Sequence, residues 1–132
     1  MRSCVLDSYA VLVFLFKQDG HQEVLSLLEK AAVADTKLLI AAPNWAEVRY
    51  MVERKAGENQ WPPTRTRLLG LPIEVVPVDL ELAEIAGGLK TTRRMSLADC
   101  FAAALAKHAK AALYTGDPEF RSVEKDIEVR WL

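Results

Sequence analysis

The 132-residue chain is predicted to form one α/β domain, a single three-layer α/β/α sandwich around a mainly parallel central sheet. Three observations predict it. Short apolar runs alternate with helical patterns of ten or more residues, which is how βα units with a sheet covered on both faces are written. Those runs end at an acid, a proline or a Gly-Asp-Pro turn, as strands do where the chain leaves a sheet. The composition, 51% hydrophobic and 27% charged, is too apolar for disorder, and the chain is too short for two cores. Residues 1–132 are therefore expected to be one domain.

Each element follows in order. Cys4-Val5-Leu6 is a first strand that stops at Asp7, and Ser8 to Lys17 and His21 to Ala34 carry helical spacing. Leu38 to Ala42 is a second strand ending at Pro43, followed by a helix over Asn44 to Lys55. Gln60-Trp61-Pro62-Pro63-Thr64 is expected to be a loop between two helices, with Trp61 the most exposed of Trp45, Trp61 and Trp131. Ile73 to Val76 is a third strand, and Leu80 to Leu89 and the Ala-rich Leu97 to Lys110 are helices. Ala111 to Thr115 is a strand ending at Gly116-Asp117-Pro118, and a last strand lies near Ile127 to Trp131.

Composition excludes several functions. With 17 basic against 18 acidic residues, the net charge of −1 rules out coating nucleic acid through bulk positive potential. A local basic patch survives the average: Lys90, Arg93, Arg94, Lys107 and Lys110 face only Asp99 in their stretch. Apolar stretches such as Ala10 to Phe16 fall well short of the roughly 20 residues that cross a bilayer. Asp7 interrupts the one segment that imitates a signal peptide, so a cytoplasmic location is expected. Cys4 and Cys100, with only His21 and His108, make neither a zinc finger nor a disulfide scaffold. Cys100 adjoins Asp99 but has no histidine placed to activate it, and is expected to be a small buried apolar residue.

In open parallel sheets, ligands collect at the carboxyl edge of the strands. Asp7 and Asp117 follow strands, while Glu47 and Asp99 lie in the opening turns of helices, so all four are expected at that one rim. Singly, each has a cap-like explanation: Asp7 and Asp117 as N-caps, and Ser96-Leu97-Ala98-Asp99 as a capping box. Together they need a partner, because carboxylates about 5 Å apart repel by roughly 3 kcal/mol per pair at an effective dielectric near 20. A hard divalent cation, Mg²⁺ or Mn²⁺, is the simplest one for an all-oxygen ligand set. Such a site permits metal-assisted phosphodiester hydrolysis.

Val5-Leu6-Asp7-Ser8, Asn44-Trp45-Ala46-Glu47, Ser96-Leu97-Ala98-Asp99 and Tyr114-Thr115-Gly116-Asp117-Pro118-Glu119-Phe120 together resemble a PIN-domain ribonuclease, and more narrowly the VapC toxins of type II toxin-antitoxin pairs. The resemblance spans the chain in order and length. It implies an endoribonuclease dependent on Mg²⁺ or Mn²⁺, a homodimer, and inhibition by a cognate VapB-like antitoxin. Residue by residue, it implies that Asp7, Glu47, Asp99 and Asp117 hold the metal, with Thr115 and Ser8 as polar neighbours. The chain departs from the family at Tyr9, where a small or hydroxyl residue is common.

Supporting residues follow from spacing. Asn44 lies three residues before Glu47 and shares its helix face, where it orients that carboxylate or a water, or else caps the helix start. Arg93 and Arg94, just before Ser96, are the leading candidates to bind RNA phosphates, followed by Lys90 and Lys107. Two other functions fit a chain of this size. A phosphoacceptor receiver module would need paired acids after the first strand and a lysine after a late strand, where this chain has Asp7-Ser8 and Tyr114-Thr115-Gly116. A catalytically silent PIN fold that only binds proteins is disfavoured by the complete set of acids.

Overall fold

In the computed structural model, which describes residues 1–132, five parallel strands form the sheet: β1 (Cys4–Leu6), β2 (Leu38–Ala41), β3 (Ile73–Val76), β4 (Ala112–Thr115) and β5 (Val129–Trp131). Their order across the sheet is β3-β2-β1-β4-β5. The chain thus winds outward from β1 in both directions, and β1 and β4 pair in the register Leu6↔Tyr114. That order differs from the 2-1-3-4-5 order of receiver-like sheets.

Alternation along β1 sends its side chains to two cores. Cys4 and Leu6 pack with Leu38, Ile40 and Ile73 beneath four helices: α1 (Ser8–Leu15), α2 (His21–Val33), α3 (Ala42–Ala56) and α4 (Trp61–Leu69). Val5 and Leu113 face α5 (Leu80–Thr92) and α6 (Leu97–Ala109) on the other side. The run Ala102 to Ala106 is fully buried in α6, and its small side chains let the helix backbone lie close against the sheet. Three layers result, as expected.

The helix starts are local chemistry. Asp7 accepts from the Ala10 amide at 2.9 Å, Asp79 from that of Leu82 at 2.8 Å, and Ser96 from that of Asp99 at 3.2 Å. Helix α3 opens with Pro43 in its first turn and ends at Gly57, whose φ of +94° is in the region that glycine adopts most readily.

The segment expected as a loop at Gln60 to Thr64 is helical instead. A short 3₁₀ turn at Glu58–Gln60 leads directly into α4, with Pro62 and Pro63 in its first turn. Proline is compatible with that position because its missing N–H would have had no intrahelical acceptor. Trp61, expected to be exposed, is only 5% exposed and meets Trp45 edge to face with ring centres 5.5 Å apart. The Pro-Pro pair starts a helix, and that helix carries the indole into the core.

Candidate functional site

The carboxyl edge of β1 and β4 gathers the acids. Asp7 follows β1 and is 1% exposed, and Asp99, in the first turn of α6, is 6% exposed. Asp117 is half-buried two residues beyond β4, and Glu47 is half-buried in the second turn of α3. Capping and clustering coexist: the same Asp7 carboxylate that caps α1 through Oδ1 accepts the Thr115 hydroxyl through Oδ2. Thr115 Oγ1 in turn accepts the Asp117 amide at 3.0 Å. One hydroxyl therefore fixes two of the acids.

On the opposite wall, Glu47 Oε1 accepts from Ser8 Oγ at 2.9 Å and from Asn44 Nδ2 at 3.1 Å. Asn44, wholly buried, also donates to the Ala98 carbonyl at 3.1 Å and so ties α3 to the first turn of α6 beside Asp99. The spacing of Asn44 and Glu47 was visible in the sequence, whereas the bond to Ala98, 54 positions away, was not.

A fifth acid joins them. Carboxylate oxygens of Asp99, Asp117 and Glu119 lie within 4.8 Å of one another. Glu119 rides on a 3₁₀ turn, Pro118–Val123, and its Oε1 accepts the Ser96 amide at 3.1 Å, linking that turn to the start of α6. It stood within the Asp117 motif, and its acid two residues after Asp117 was the only signal for it.

No ion pair of the protein involves any of these five acids. The electrostatic consequence is strong. Burial, opposed by hydrogen bonds from Thr115 and Ala10 and reinforced by Asp117 and Glu47, pushes Asp7 up from 3.8 to about 7. Burial together with the charge of Asp117 pushes Asp99 up to about 8, with a hydrogen bond to Glu119 adding to the rise. Asn44, whose Nδ2 donates to Glu47, keeps its Oδ1 buried with no hydrogen-bond partner. Converging carboxylates with no cation of the protein among them fit a hard divalent metal.

The candidate RNA-binding cations are dispersed. Arg93 donates to Asp126 Oδ2 at 2.9 Å and is thereby neutralised, and the Lys90 ammonium donates to the Met95 carbonyl at 2.7 Å. Lys107 lies eight residues beyond Asp99 in α6, about 12 Å further along the helix axis and away from the acids. Of the four, Lys90 and Arg94 are exposed, in no ion pair and within six residues of Ser96.

The PIN domain family model matches residues 4–126. No curated protein matches the chain by sequence. Among solved structures, the DNA-bound VapBC of Salmonella typhimurium superimposes with a TM-score of 0.75 at 16% identity, covering 98% of each chain. A toxin-antitoxin complex from Klebsiella pneumoniae gives 0.71 at 20% identity, over 97% of this chain and 96% of the other. The Mycobacterium tuberculosis toxin VapC20, described as cleaving the sarcin-ricin loop, gives 0.70 at 18% identity, over 97% and 99%.

Proposed function

The chain belongs to the PIN domain family, and on that premise we propose that it is a metal-dependent endoribonuclease, the toxin of a VapBC-type pair held inactive by a VapB-like antitoxin. The observation that carries this reading is the set of converging carboxylates with no basic partner. Asp7, Asp99 and Asp117 would hold Mg²⁺ or Mn²⁺, with Glu47 closing the shell through the attacking water and Glu119 beside them. Such an ion supplies activation of water and neutralisation of charge on the phosphate.

The chain's own residues do the rest. Thr115 holds Asp7 and Asp117 in fixed orientation, so the site is formed before substrate arrives. Ser8 and Asn44 both donate to one oxygen of Glu47, leaving its other oxygen to orient the attacking water and accept its proton. In-line attack on phosphorus then breaks the bond to the 3′-oxygen, which takes a proton from solvent, leaving a 5′-phosphate and a 3′-hydroxyl, and the RNA 2′-hydroxyl takes no part.

The toxin assignment is supported by likeness to the VapBC structures, and the family resemblance further suggests a homodimer. No helix is long and apolar enough to cross a membrane. The test is incubation of the purified protein with total RNA in Mg²⁺, in Mn²⁺ and in chelator, beside Asp99→Asn. Cleavage with metal that is abolished by chelator and by the substitution is expected. Equal cleavage by Asp99→Asn, or cleavage in chelator, defeats the site assignment. Expression alone should arrest growth, co-expression of a cognate VapB-like antitoxin should relieve it, and light scattering should give about twice the 14.7 kDa chain mass.

A further inference from the structure

Tyr9 begins where the acids end. It follows Ser8, which donates to Glu47, and its ring rests on Gly116, the residue immediately before Asp117. The contact is so close that a Cβ on Gly116 would stand 2.6 Å from Tyr9 Cζ and 2.8 Å from its hydroxyl oxygen. No other residue fits beneath that ring without displacing it. Yet Tyr9 is not a core residue: 41% of it remains exposed. An aromatic ring is thus pinned at the rim of the carboxylate cluster, with part of its surface open to solvent.

The ring also forms one wall of a groove between α1 and α3, about 190 Å³ in volume and mostly apolar, with Phe16 and Met51 in its lining. Lys55 stands over the Phe16 ring at 4.8 Å and pairs with no carboxylate. A flat aromatic wall, an apolar slot and an unpaired cation suit a nucleobase attached to a phosphate.

Resting on the endoribonuclease reading, we propose that Tyr9 is a substrate-positioning residue against which an unstacked base beside the scissile phosphate packs, with the base entering the α1–α3 groove and Lys55, further along it, facing the backbone of the strand beyond. Gly116 is glycine so that the ring can hold this position. The proposal concerns the binding of single-stranded RNA and assigns Tyr9 no part in metal binding or bond breaking.

The test uses the full-length protein, short single-stranded RNA substrates, and the same RNAs carrying an abasic nucleotide at each position around the cleaved bond. Tyr9→Leu is expected to raise KM about 10-fold or more while kcat and Mn²⁺ affinity stay within about twofold, and Tyr9→Phe to keep the wild-type KM. Gly116→Ala, which displaces the ring without removing it, should raise KM similarly. At one abasic position the wild type and Tyr9→Leu should become equal. Lys55→Ala should reduce the slope of log affinity against log salt by about 0.7. An unchanged KM for Tyr9→Leu on every intact RNA overturns the proposal, as does a loss confined to kcat and Mn²⁺ affinity, which would make the ring a packing element. Unaltered RNA kinetics with weaker binding of the co-expressed antitoxin would assign the groove to a protein instead. A wild-type protein that cleaves no RNA in Mn²⁺ defeats the nuclease reading and this one with it, a result distinct from cleavage with unaltered KM.

Discussion

The Thr115 hydroxyl donates to Asp7 Oδ2 across two neighbouring parallel strands, although 108 positions separate the residues in the chain. The same oxygen accepts the Asp117 amide, so one buried side chain sets the orientation of two acids from different parts of the sequence.

Thr115→Val keeps the shape and removes both bonds. Since the hydrogen bond opposes the upward shift of Asp7, its loss should raise that pKa further and leave less ionised carboxylate at pH 7. Mn²⁺ affinity measured by titration calorimetry at pH 7 should fall about 10- to 100-fold, and Thr115→Ser should recover most of it. Equal affinities for Val and wild type would remove Thr115 from the site.

Stability without metal should fall as pH rises. Asp7 and Asp99 have folded-state values of about 7 and about 8 against 3.8 in the ordinary carboxylate, so between these limits the folded state binds more protons than the unfolded chain. The stabilisation is complete below about pH 4 and is lost as pH climbs through 7 to 8. With chelator present, thermal melting should occur at a higher temperature at pH 5 than at pH 8, and added Mg²⁺ should narrow the gap. A metal-free Tm that rises over this interval contradicts the shifts.

Asp99→Asn tests the same charge from the other side. It keeps the volume of a nearly buried carboxyl but cannot ionise, so at pH 8 the metal-free variant should melt no lower than wild type, with a flatter pH profile. Cleavage should fall at least about 100-fold, because the change takes a charged oxygen from the metal and the phosphate. A variant both less stable at pH 8 and fully active would be incompatible with a repulsive cluster.

Asn44→Ala should act on structure and activity together. The half-buried Ala98 carbonyl loses its side-chain donor and Glu47 loses one of its two, a cost of about 1–3 kcal/mol in urea unfolding. Turnover should fall while Mn²⁺ affinity changes less, since Asn44 acts through Glu47. Preserved turnover would limit Asn44 to a structural tie between α3 and α6.

Trp61→Ala should cost about 3–5 kcal/mol, as expected for a large buried aromatic, with cleavage per folded molecule unchanged. A loss below about 1 kcal/mol would mean that the indole is not the core element its burial indicates.

Much of the fold was legible in the chain because it depends on short-range order. Apolar runs such as Cys4-Val5-Leu6 and Ala112 to Thr115 mark strands, Asp7 and Ser96 cap helices within three residues, and βα alternation dictates a parallel sheet with its acids at the carboxyl edge. The placement of Asp7, Glu47, Asp99 and Asp117 at one edge follows from that topology, each lying just past a strand or within the opening turns of a helix. What tertiary structure decided were pairings between distant positions. It set Glu119 against Ser96, joined Asn44 to Ala98, and gave Arg93 to Asp126 instead of to an open surface. It also turned the Pro62-Pro63 segment into a helix that buries Trp61. Proline is compatible with both a loop and a helix start, and an arginine with both a free surface and an ion pair. For such residues the local sequence leaves the alternatives close in free energy, and the choice falls to the partner that the folded chain brings within reach.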